Sequence, residues 1–419
     1  RSRFIRLPRK RHVGIRSERR RVALGVQTVI ALRSIERFPG FTFLCSQAAQ
    51  YRMVQEESPA LFEQVRKAVK AGRWEPNGAM WIEPDCTCPS GESFVRQIVH
   101  GTGFWTREFG AAGKQRFLYL PDTFGFPPCL PQIARLGGLD TFITNKMSWC
   151  ETNKFPHVTF MWRGLDGTEI LTHLTPGHNY NSSIEPKDML FGERNLVTQD
   201  GQSFFSSAIP MWLQPFGYGD GGGGPTDEQI ARAELAADCA GLPRFEQHRV
   251  DVFCGRLHAG REALETAGRP LASWDGELYL ELHRGTYTSQ AWLKRQNRLA
   301  ESALRDAEAA FLADEGGADL ADACPALDLE PGPESGYCRH FETLNDAARY
   351  AEERFLALAR AAGALPAQDQ ALTLREFLAG HLLNVVDEEE DEEGEGGRAA
   401  AGRPANGKGG KGGATPDAP

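Results

Sequence analysis

The sequence predicts an α/β fold with mainly parallel strands, followed by a helical region. Strand-like and helix-like segments alternate from residue 89 to residue 241, an order typical of a parallel sheet that helices cover or close. After Tyr287 the pattern changes, because Ala, Leu, Arg and Glu recur with helical spacing over residues 290–312 and 341–362. With 419 residues, 41% of them hydrophobic, the chain can bury the cores of one large and one smaller domain.

The first elements follow from helix caps and apolar stripes. The segment 89–93 is typical of a helix start, Gly110 ends this helix, and its apolar stripe comprises Phe94, Ile98, Trp105 and Phe109. We predict a strand over residues 117–120, then a short helix over 133–136 that two glycines end, then a strand over 141–144.

The later elements are a hairpin, a strand and a capped helix. Residues 158–162 and 170–174 flank Asp166-Gly167, a pair typical of tight hairpin turns. Residues 211–219 form a further predicted strand, and Thr226 starts a helix that reaches about residue 241.

The two ends of the chain carry opposite charge and are set apart from the rest. Residues 1–22 are strongly basic, whereas residues 387–419 start with a run of acidic residues and continue rich in glycine, which predicts a disordered tail. No recognised nucleic-acid module accompanies the basic segment, so we interpret it as solvated. No apolar run approaches the roughly 20 residues that span a bilayer. We therefore expect neither nucleic acid nor membrane as a partner.

The cysteines predict reduced thiols. Nine cysteines stand at irregular spacings, which favours an intracellular compartment over a disulfide framework. Cys86 and Cys88 form a C-x-C pair without the second pair that a structural zinc site needs.

Asp122 is the strongest candidate for catalysis. It follows the apolar run Leu118-Tyr119-Leu120 almost directly, and Gly125 and the prolines after it turn the backbone away. Side chains at the carboxyl end of a strand in such folds point into the crevice where the chemistry takes place. The alternative is an aspartate that caps the next helix, and position alone does not decide between the two.

Asp220 is the second candidate, at the start of a glycine run. Residues 221–224 are four successive glycines between an aromatic segment and the capped helix at Thr226. A flexible linker is the usual explanation of such a run, but this setting favours a functional loop. It is not a phosphate-binding loop, because no Gly-Lys-Ser/Thr follows.

Two aspartates at separate strand ends are what glycoside hydrolysis requires. One would act as nucleophile and the other as general acid, and a separation of about 5 Å would predict retention of configuration. Aromatic and amide side chains that suit sugar binding follow the same segments: Trp81, Trp149, Trp162, Asn179 and Tyr180.

Five segments together resemble the family 38 α-mannosidases, in particular their cytosolic and vacuolar branch: GAMWIEPDCTCPSGESFVRQ, LPDTFGFPPCLPQI, KMSWCETNKFPHVTF, PFGYGDGGGGPT and GELYLELHRGTYTSQ. The resemblance runs from about Phe41 to Arg305. It implies a retaining, zinc-dependent exo-glycosidase that removes terminal α-linked mannose from oligosaccharides in glycan catabolism. It also implies a cytoplasmic or vacuolar location and leaves homo-oligomerisation open.

The resemblance also assigns domains and residues. It implies a basic, unmatched segment 1–22, a barrel-like (β/α) catalytic domain 23–285, a three-helix middle domain 286–386 and the tail 387–419. Asp122 matches the nucleophile, which is also a zinc ligand, and Asp220 matches the acid/base. Lys146 and His283 fall near substrate-contacting positions, and Tyr180 joins them as an aromatic candidate.

The metal motifs of that family depart from the sequence at both ends. Where the family has H-x-D followed by T-A-W-L-W, this chain offers only His12-Val13-Gly14, and where it has N-Q-F-H-D, Leu382-Leu383-Asn384 continues into the acidic tail. Only Asp122 of the expected zinc ligands is found, and a protein zinc site generally needs three or four. We therefore expect truncation at both ends, weak retention of zinc or cobalt, and negligible α-mannosidase activity from residues 1–419 alone.

Two other functions stay open at this point. One is an inactive homologue, or a fragment from a misjudged gene boundary, with carbohydrate binding at most. The other is a metal-dependent deacetylase on a related barrel, which would need a histidine pair at helical ligand spacing; none of five scattered histidines has it: His157, His173, His178, His248 and His258.

Overall fold

The computed structural model describes residues 25–199, 209–219 and 223–314. The chain divides into two units, residues 1–301 and 302–419, and every described strand belongs to the first. The described α-helices are α1 (residues 25–37), α2 (Ala48–Glu57), α3 (Pro59–Lys70), α4 (Gly91–Phe109), α5 (Leu130–Leu136), α6 (Pro186–Gln199), α7 (Asp227–Leu235), α8 (Val250–Thr266), α9 (Gly285–Thr288) and α10 (Ala291–Asp314).

The described strands form two sheets rich in parallel pairs. Strands β1 (Phe43–Cys45) and β2 (Trp74–Pro76) form a parallel pair. The larger sheet has the order β3-β4-β6-β5-β7, in which only the β5/β6 hairpin is antiparallel. Its strands are β3 (Phe117–Tyr119), β4 (Thr141–Thr144), β5 (Thr159–Arg163), β6 (Glu169–Leu174) and β7 (Ser273–Asp275).

Helix α4 shows how the core is assembled around the larger sheet. Its N-terminus is capped by Ser90, whose side chain accepts a hydrogen bond from the backbone N–H of Ser93, and Gly110 follows its last turn. Phe94 and Ile98 bury their side chains against the sheet. At Gly101 the helix passes so close to residues 79–81 that a Cβ would lie 2.0 Å from the carbonyl oxygen of Ala79. Only glycine allows this contact.

Most predicted elements are confirmed, with one clear exception. The α4 helix, the strands β3 and β4, and the hairpin around Gly167 lie where the sequence predicts them, and α5 starts three residues earlier. The predicted strand over residues 211–219 is wrong, because this segment forms only isolated bridges at Phe216 and Tyr218. Its backbone runs beside α8 rather than along a strand, and Leu213 donates to the His173 ring instead of to a backbone carbonyl.

Several predictions concern residues outside the described ranges. They are the helix over 341–362, most of the middle domain 286–386, the tail 387–419 and the basic segment 1–22. Within the described ranges, no helix combines the length and apolar character that crossing a membrane requires.

Glu75 joins the small sheet to α8 and makes stability depend on pH. Its carboxylate accepts hydrogen bonds from the backbone N–H groups of Val250 (2.6 Å) and Asp251 (2.9 Å) at the start of α8. Burial, reinforced by repulsion from Asp251, nevertheless raises the pKa of Glu75 to about 7 from its usual 4.5. Since the folded protein then binds a proton more tightly than the unfolded chain, stability is full below about pH 4.5 and falls as pH rises to 7.

We expect the unfolding free energy to fall by about 3 kcal/mol across that window through this one group. Glu75→Gln should flatten the dependence, because it has no proton to lose. Urea unfolding of both proteins at pH 5, 6, 7 and 8 checks this. Parallel curves for the two proteins would contradict the assignment.

Candidate active site

Asp122 lies just beyond the carboxyl end of β3. Its side chain is 38% exposed, whereas the residues of β3 itself are buried or nearly so. Helix α5 starts at Leu130, with Cys129 at the cap position, so Asp122 does not cap the helix that follows it. The alternative that the sequence left open, a cap of this helix, is thereby excluded.

Lys146 forms an ion pair with Asp122 from the end of the neighbouring strand. The Lys146 Nζ donates to Asp122 Oδ1 at 2.5 Å, and the lysine is only 4% exposed. Strands β3 and β4 are parallel neighbours, so both residues emerge at the same edge of the sheet. Asp122 Oδ2 has no hydrogen-bond partner among the described residues. One carboxylate oxygen is held by a buried cation, while the Asp122 side chain as a whole is 38% exposed.

Aromatic rings surround this ion pair. The Lys146 ammonium lies 4.2 Å from the ring centroid of Trp149 and 4.9 Å from that of Phe124. The His283 ring packs at 4.5 Å from Phe124 and 5.9 Å from Trp149. Trp149 is 40% exposed and His283 is also exposed. The structure thus brings four predicted site residues together, Asp122, Lys146, Trp149 and His283.

Glu83 holds the turn that presents Asp122, and sequence reasoning missed it. Its Oε1 accepts a hydrogen bond from the Asp122 backbone N–H at 2.5 Å, while the Thr123 hydroxyl donates to the Pro84 carbonyl at 3.1 Å. Burial raises the pKa of Glu83 to about 7. Glu83 belongs to the quoted segment GAMWIEPDCTCPSGESFVRQ, but a lone glutamate 39 residues before Asp122 carries no local signal of this contact.

Tyr180 lies against Gly219, the residue before Asp220. A Cβ on Gly219 would lie 2.8 Å from a ring carbon of Tyr180, and the Gly219 N–H donates to Asn181 Oδ1 at 2.5 Å. A side chain at position 219 would require Asn181 and Tyr180 to shift. The loop after β6 is tied to the β4 end by Thr175, whose hydroxyl donates to Asn145 Oδ1 at 2.7 Å. Asp220 itself lies outside the described residues, so its separation from Asp122 stays a prediction.

Of the tryptophans suggested for sugar binding, Trp162 is a core residue and Trp81 is partly buried. Trp162 is fully buried, with its indole N–H donating to the Gly276 carbonyl at 2.7 Å. Trp81 packs edge-on against Phe104 in a second core cluster. Alternation along β5 turns Trp162 inward, so the prediction of a ligand contact is wrong for Trp162, whereas for Trp81 it stays a prediction.

The described residues by themselves do not fit a metal. Within residues 25–199, 209–219 and 223–314, no group of three His, Cys, Asp or Glu side chains is arranged to hold an ion. The one expected ligand, Asp122, has Lys146 at 2.5 Å, and an ammonium repels a cation.

Comparisons with known proteins agree on one family. A model of the glycosyl hydrolases family 38 N-terminal domain matches residues 15–277. Alpha-mannosidase G of Dictyostelium discoideum is 42% identical over 274 residues, which are 65% of this chain and 24% of the relative. The alpha-mannosidase of Saccharomyces cerevisiae is 36% identical over 280 residues, 65% of this chain and 25% of the relative.

One solved structure with a similar chain is an alpha-mannosidase from Enterococcus faecalis. It is 24% identical, with 62% of this chain and 28% of that chain covered and a TM-score of 0.48. The alignments with the two curated relatives span only about a quarter of the length of each.

Proposed function

Because the chain belongs to glycosyl hydrolase family 38 over residues 15–277, we propose that it supplies the nucleophile of an α-mannosidase that hydrolyses terminal α-linked mannose with retention of configuration. The observation that supports this most directly is Asp122, held at a strand end by Lys146 inside an aromatic wall. A barrel-like closure of the sheets, a helical middle domain over 286–386 and a role in glycan catabolism in the cytoplasm or vacuole belong to the same proposal.

The geometry suits nucleophilic attack on a sugar. A half-exposed carboxylate oxygen is needed for attack on the anomeric carbon, and Lys146 fixes the other oxygen so that the carboxylate keeps one orientation. The exposed ring of Trp149 and the ring of His283 offer apolar surface to the C–H face of a pyranose.

The proposed reaction proceeds in two steps. An Asp122 oxygen bonds to the anomeric carbon as the glycosidic C–O bond breaks, and Asp220 donates a proton to the leaving oxygen. Water then attacks the glycosyl-enzyme, gives its proton back to Asp220 and releases Asp122. Tyr180 and Asn181, which contact Gly219, would position the Asp220 loop.

The expectation that zinc, or cobalt in its place, takes part in the reaction comes from the family resemblance alone. When bound, such a cation would polarise and orient the sugar. By resemblance Asp122 would be one ligand of that cation, but beside Lys146 it could hold the ion only together with ligands outside the described residues.

A second candidate function is a catalytically inactive, mannoside-binding protein. The observation that favours it is the Lys146–Asp122 ion pair. If Asp122 were both the nucleophile and a metal ligand, the metal ion would have to lie where the Lys146 ammonium lies. Binding of a mannoside without turnover would be its signature.

The experiment that tests the proposed function uses a chimera. We would replace the matching segment of the Dictyostelium alpha-mannosidase G by residues 41–305 of this chain and assay an aryl α-mannoside. We expect metal-stimulated turnover whose first product, followed by NMR, is the α-anomer, while residues 1–419 alone show negligible turnover. A folded chimera that binds mannoside but turns nothing over would favour the second candidate. The β-anomer as first product would contradict retention.

A further inference from the structure

Glu281 anchors the exposed loop that follows Trp149. Trp149 is the last residue of a short 3₁₀ helix, and residues 151–153 after it form bends rather than a helix or a strand. The Glu281 carboxylate accepts hydrogen bonds from the backbone N–H groups of Thr152 and Asn153, both at 2.9 Å, and from the Asn153 side-chain amide at 2.5 Å. The bond from Thr152, together with those from Asn153, lowers the pKa of Glu281. The carboxylate is therefore ionised and its hydrogen bonds are charge-assisted.

Residues 278–283, the segment that carries this carboxylate, make two further attachments. The Cys150 thiol donates to the Tyr279 carbonyl oxygen at 3.5 Å. Phe126 and Leu278 each donate a backbone N–H to the carbonyl oxygen of the other, at 2.9 Å and 3.0 Å, and form an antiparallel bridge. The segment is thus fixed both against the loop after the tryptophan and against the turn after the candidate nucleophile, so it holds the two in one relative position.

His283, at the end of this segment, has a backbone conformation that needs support. Its φ of 63° lies in the left-handed region, which is uncommon for residues other than glycine. The Thr286 backbone N–H and hydroxyl donate to the His283 carbonyl oxygen at 3.0 Å and 2.5 Å. Backbone strain of this kind persists only where the surrounding contacts impose it, and it is common in ligand-binding sites. The conformation presents the His283 ring at 5.9 Å from the ring of Trp149.

One carboxylate therefore fixes two aromatic rings. Glu281 lies two residues before His283 in the chain and binds the loop that starts after Trp149. Aromatic rings offer apolar surface to the C–H face of a sugar, and a loop that had to become ordered on binding would reduce the affinity. The hydrogen bonds of Glu281 order this loop in advance. None of them, among the described residues, reaches Asp122 or Lys146.

We propose that Glu281 is a positioning residue, which holds Trp149 beside His283 and thereby sets the affinity of the site for a sugar rather than the rate of bond cleavage. Its effect on the sugar is transmitted by residues 150–153. The anchoring of this loop is independent of the proposed function, whereas the identity of the sugar as an α-mannoside rests on it.

The first test measures hydrogen exchange at the backbone amides of Thr152 and Asn153 in the full chain, residues 1–419. We expect Glu281→Ala to speed the exchange of both amides at least tenfold, because their acceptor is removed. Glu281→Gln keeps one oxygen as an acceptor and should give an intermediate rate. The matched control is Glu277→Ala, which removes an exposed glutamate just before the segment and should leave both rates unchanged. Unchanged exchange in Glu281→Ala would overturn the proposal.

The second test measures steady-state kinetics of the same variants in the chimera with an aryl α-mannoside. We expect Glu281→Ala to raise KM about tenfold with kcat within about twofold of the parent, because binding lost equally from the ground state and the transition state raises KM alone. Glu281→Gln should restore most of the affinity, and Glu277→Ala should match the parent. A loss of folded protein with KM unchanged, or a fall in kcat with KM unchanged, would contradict a positioning role.

Failure of the proposed hydrolysis is a separate result. If the parent chimera shows no turnover, its affinity for methyl α-D-mannopyranoside, measured by titration calorimetry, takes the place of KM. The proposal then requires binding that Glu281→Ala weakens and Glu277→Ala leaves unchanged. Equal affinities of the two variants, or no binding by the folded parent, would overturn it.

Discussion

Replacing Asp122 by Asn should reduce the turnover of an aryl α-mannoside by the chimera by a factor on the order of 10⁴ or more. The amide is a poor nucleophile, so the glycosyl-enzyme would not form. The variant keeps the size of the side chain and the backbone N–H bond to Glu83. We therefore expect the substrate to bind with little change while kcat is lost.

The control for Asp122→Asn is Asp166→Asn, an exposed aspartate in the hairpin turn that hydrogen-bonds only locally, to Thr168. This variant should retain full turnover. Steady-state rates for both variants, with far-UV circular dichroism to confirm folding, decide the result. Residual turnover within tenfold of the parent for Asp122→Asn would show that another group is the nucleophile.

The second large effect is expected from Lys146. Replacing it by Met removes the cation that fixes Asp122 Oδ1 but keeps most of the aliphatic stem between Trp149 and Phe124. Since the carboxylate would lose its fixed orientation and the charge that faces it, we expect kcat to fall by about 10²–10³. Stability should change little, because the ion pair is partly exposed and apolar packing replaces it.

The matched control for Lys146→Met is Lys154→Met, which removes the same charge from an exposed position in the loop before β5. Rates and urea unfolding of both variants separate catalysis from folding. A Lys146→Met variant that unfolds far more easily than the parent, with kcat unchanged, would make Lys146 a structural residue.

The elements that the sequence predicted well are those with local signals. The Ser90 cap, the Gly110 end and the spacing of Phe94 and Ile98 define α4 within the chain itself. The turn at Gly167 defines the β5/β6 hairpin for the same reason. Residues 211–219 have the composition of a strand, but a strand also needs a neighbouring backbone with unpaired donors and acceptors. That requirement is not local, and the segment packs on α8 instead.

In the candidate site, too, the sequence suggested individual residues, whereas the contacts between them appear only in the folded structure. Asp122 was a candidate from the sequence because a carboxylate just after an apolar run can lie at the carboxyl end of a strand, although position alone left a helix cap open. Lys146 and His283 were assigned only by resemblance. The contact of Lys146 with Asp122 and the stacking of His283 on Phe124 join residues 24 and 159 positions apart in the chain, as their numbering gives. Such pairings depend on the parallel register of β3 with β4 and on the return of the chain past Leu278.

By itself the sequence determined the α/β class, the place of the hairpin and of α4, the candidate nucleophile and the family. Each of these follows from the order of residue types along the chain, which does not depend on how the chain folds. Only the tertiary structure decided that Trp162 is core and that Glu83 holds the Asp122 turn. Burial and hydrogen-bond partners are properties of neighbours in space, and residues far apart in sequence become neighbours only when the strands and helices pack together.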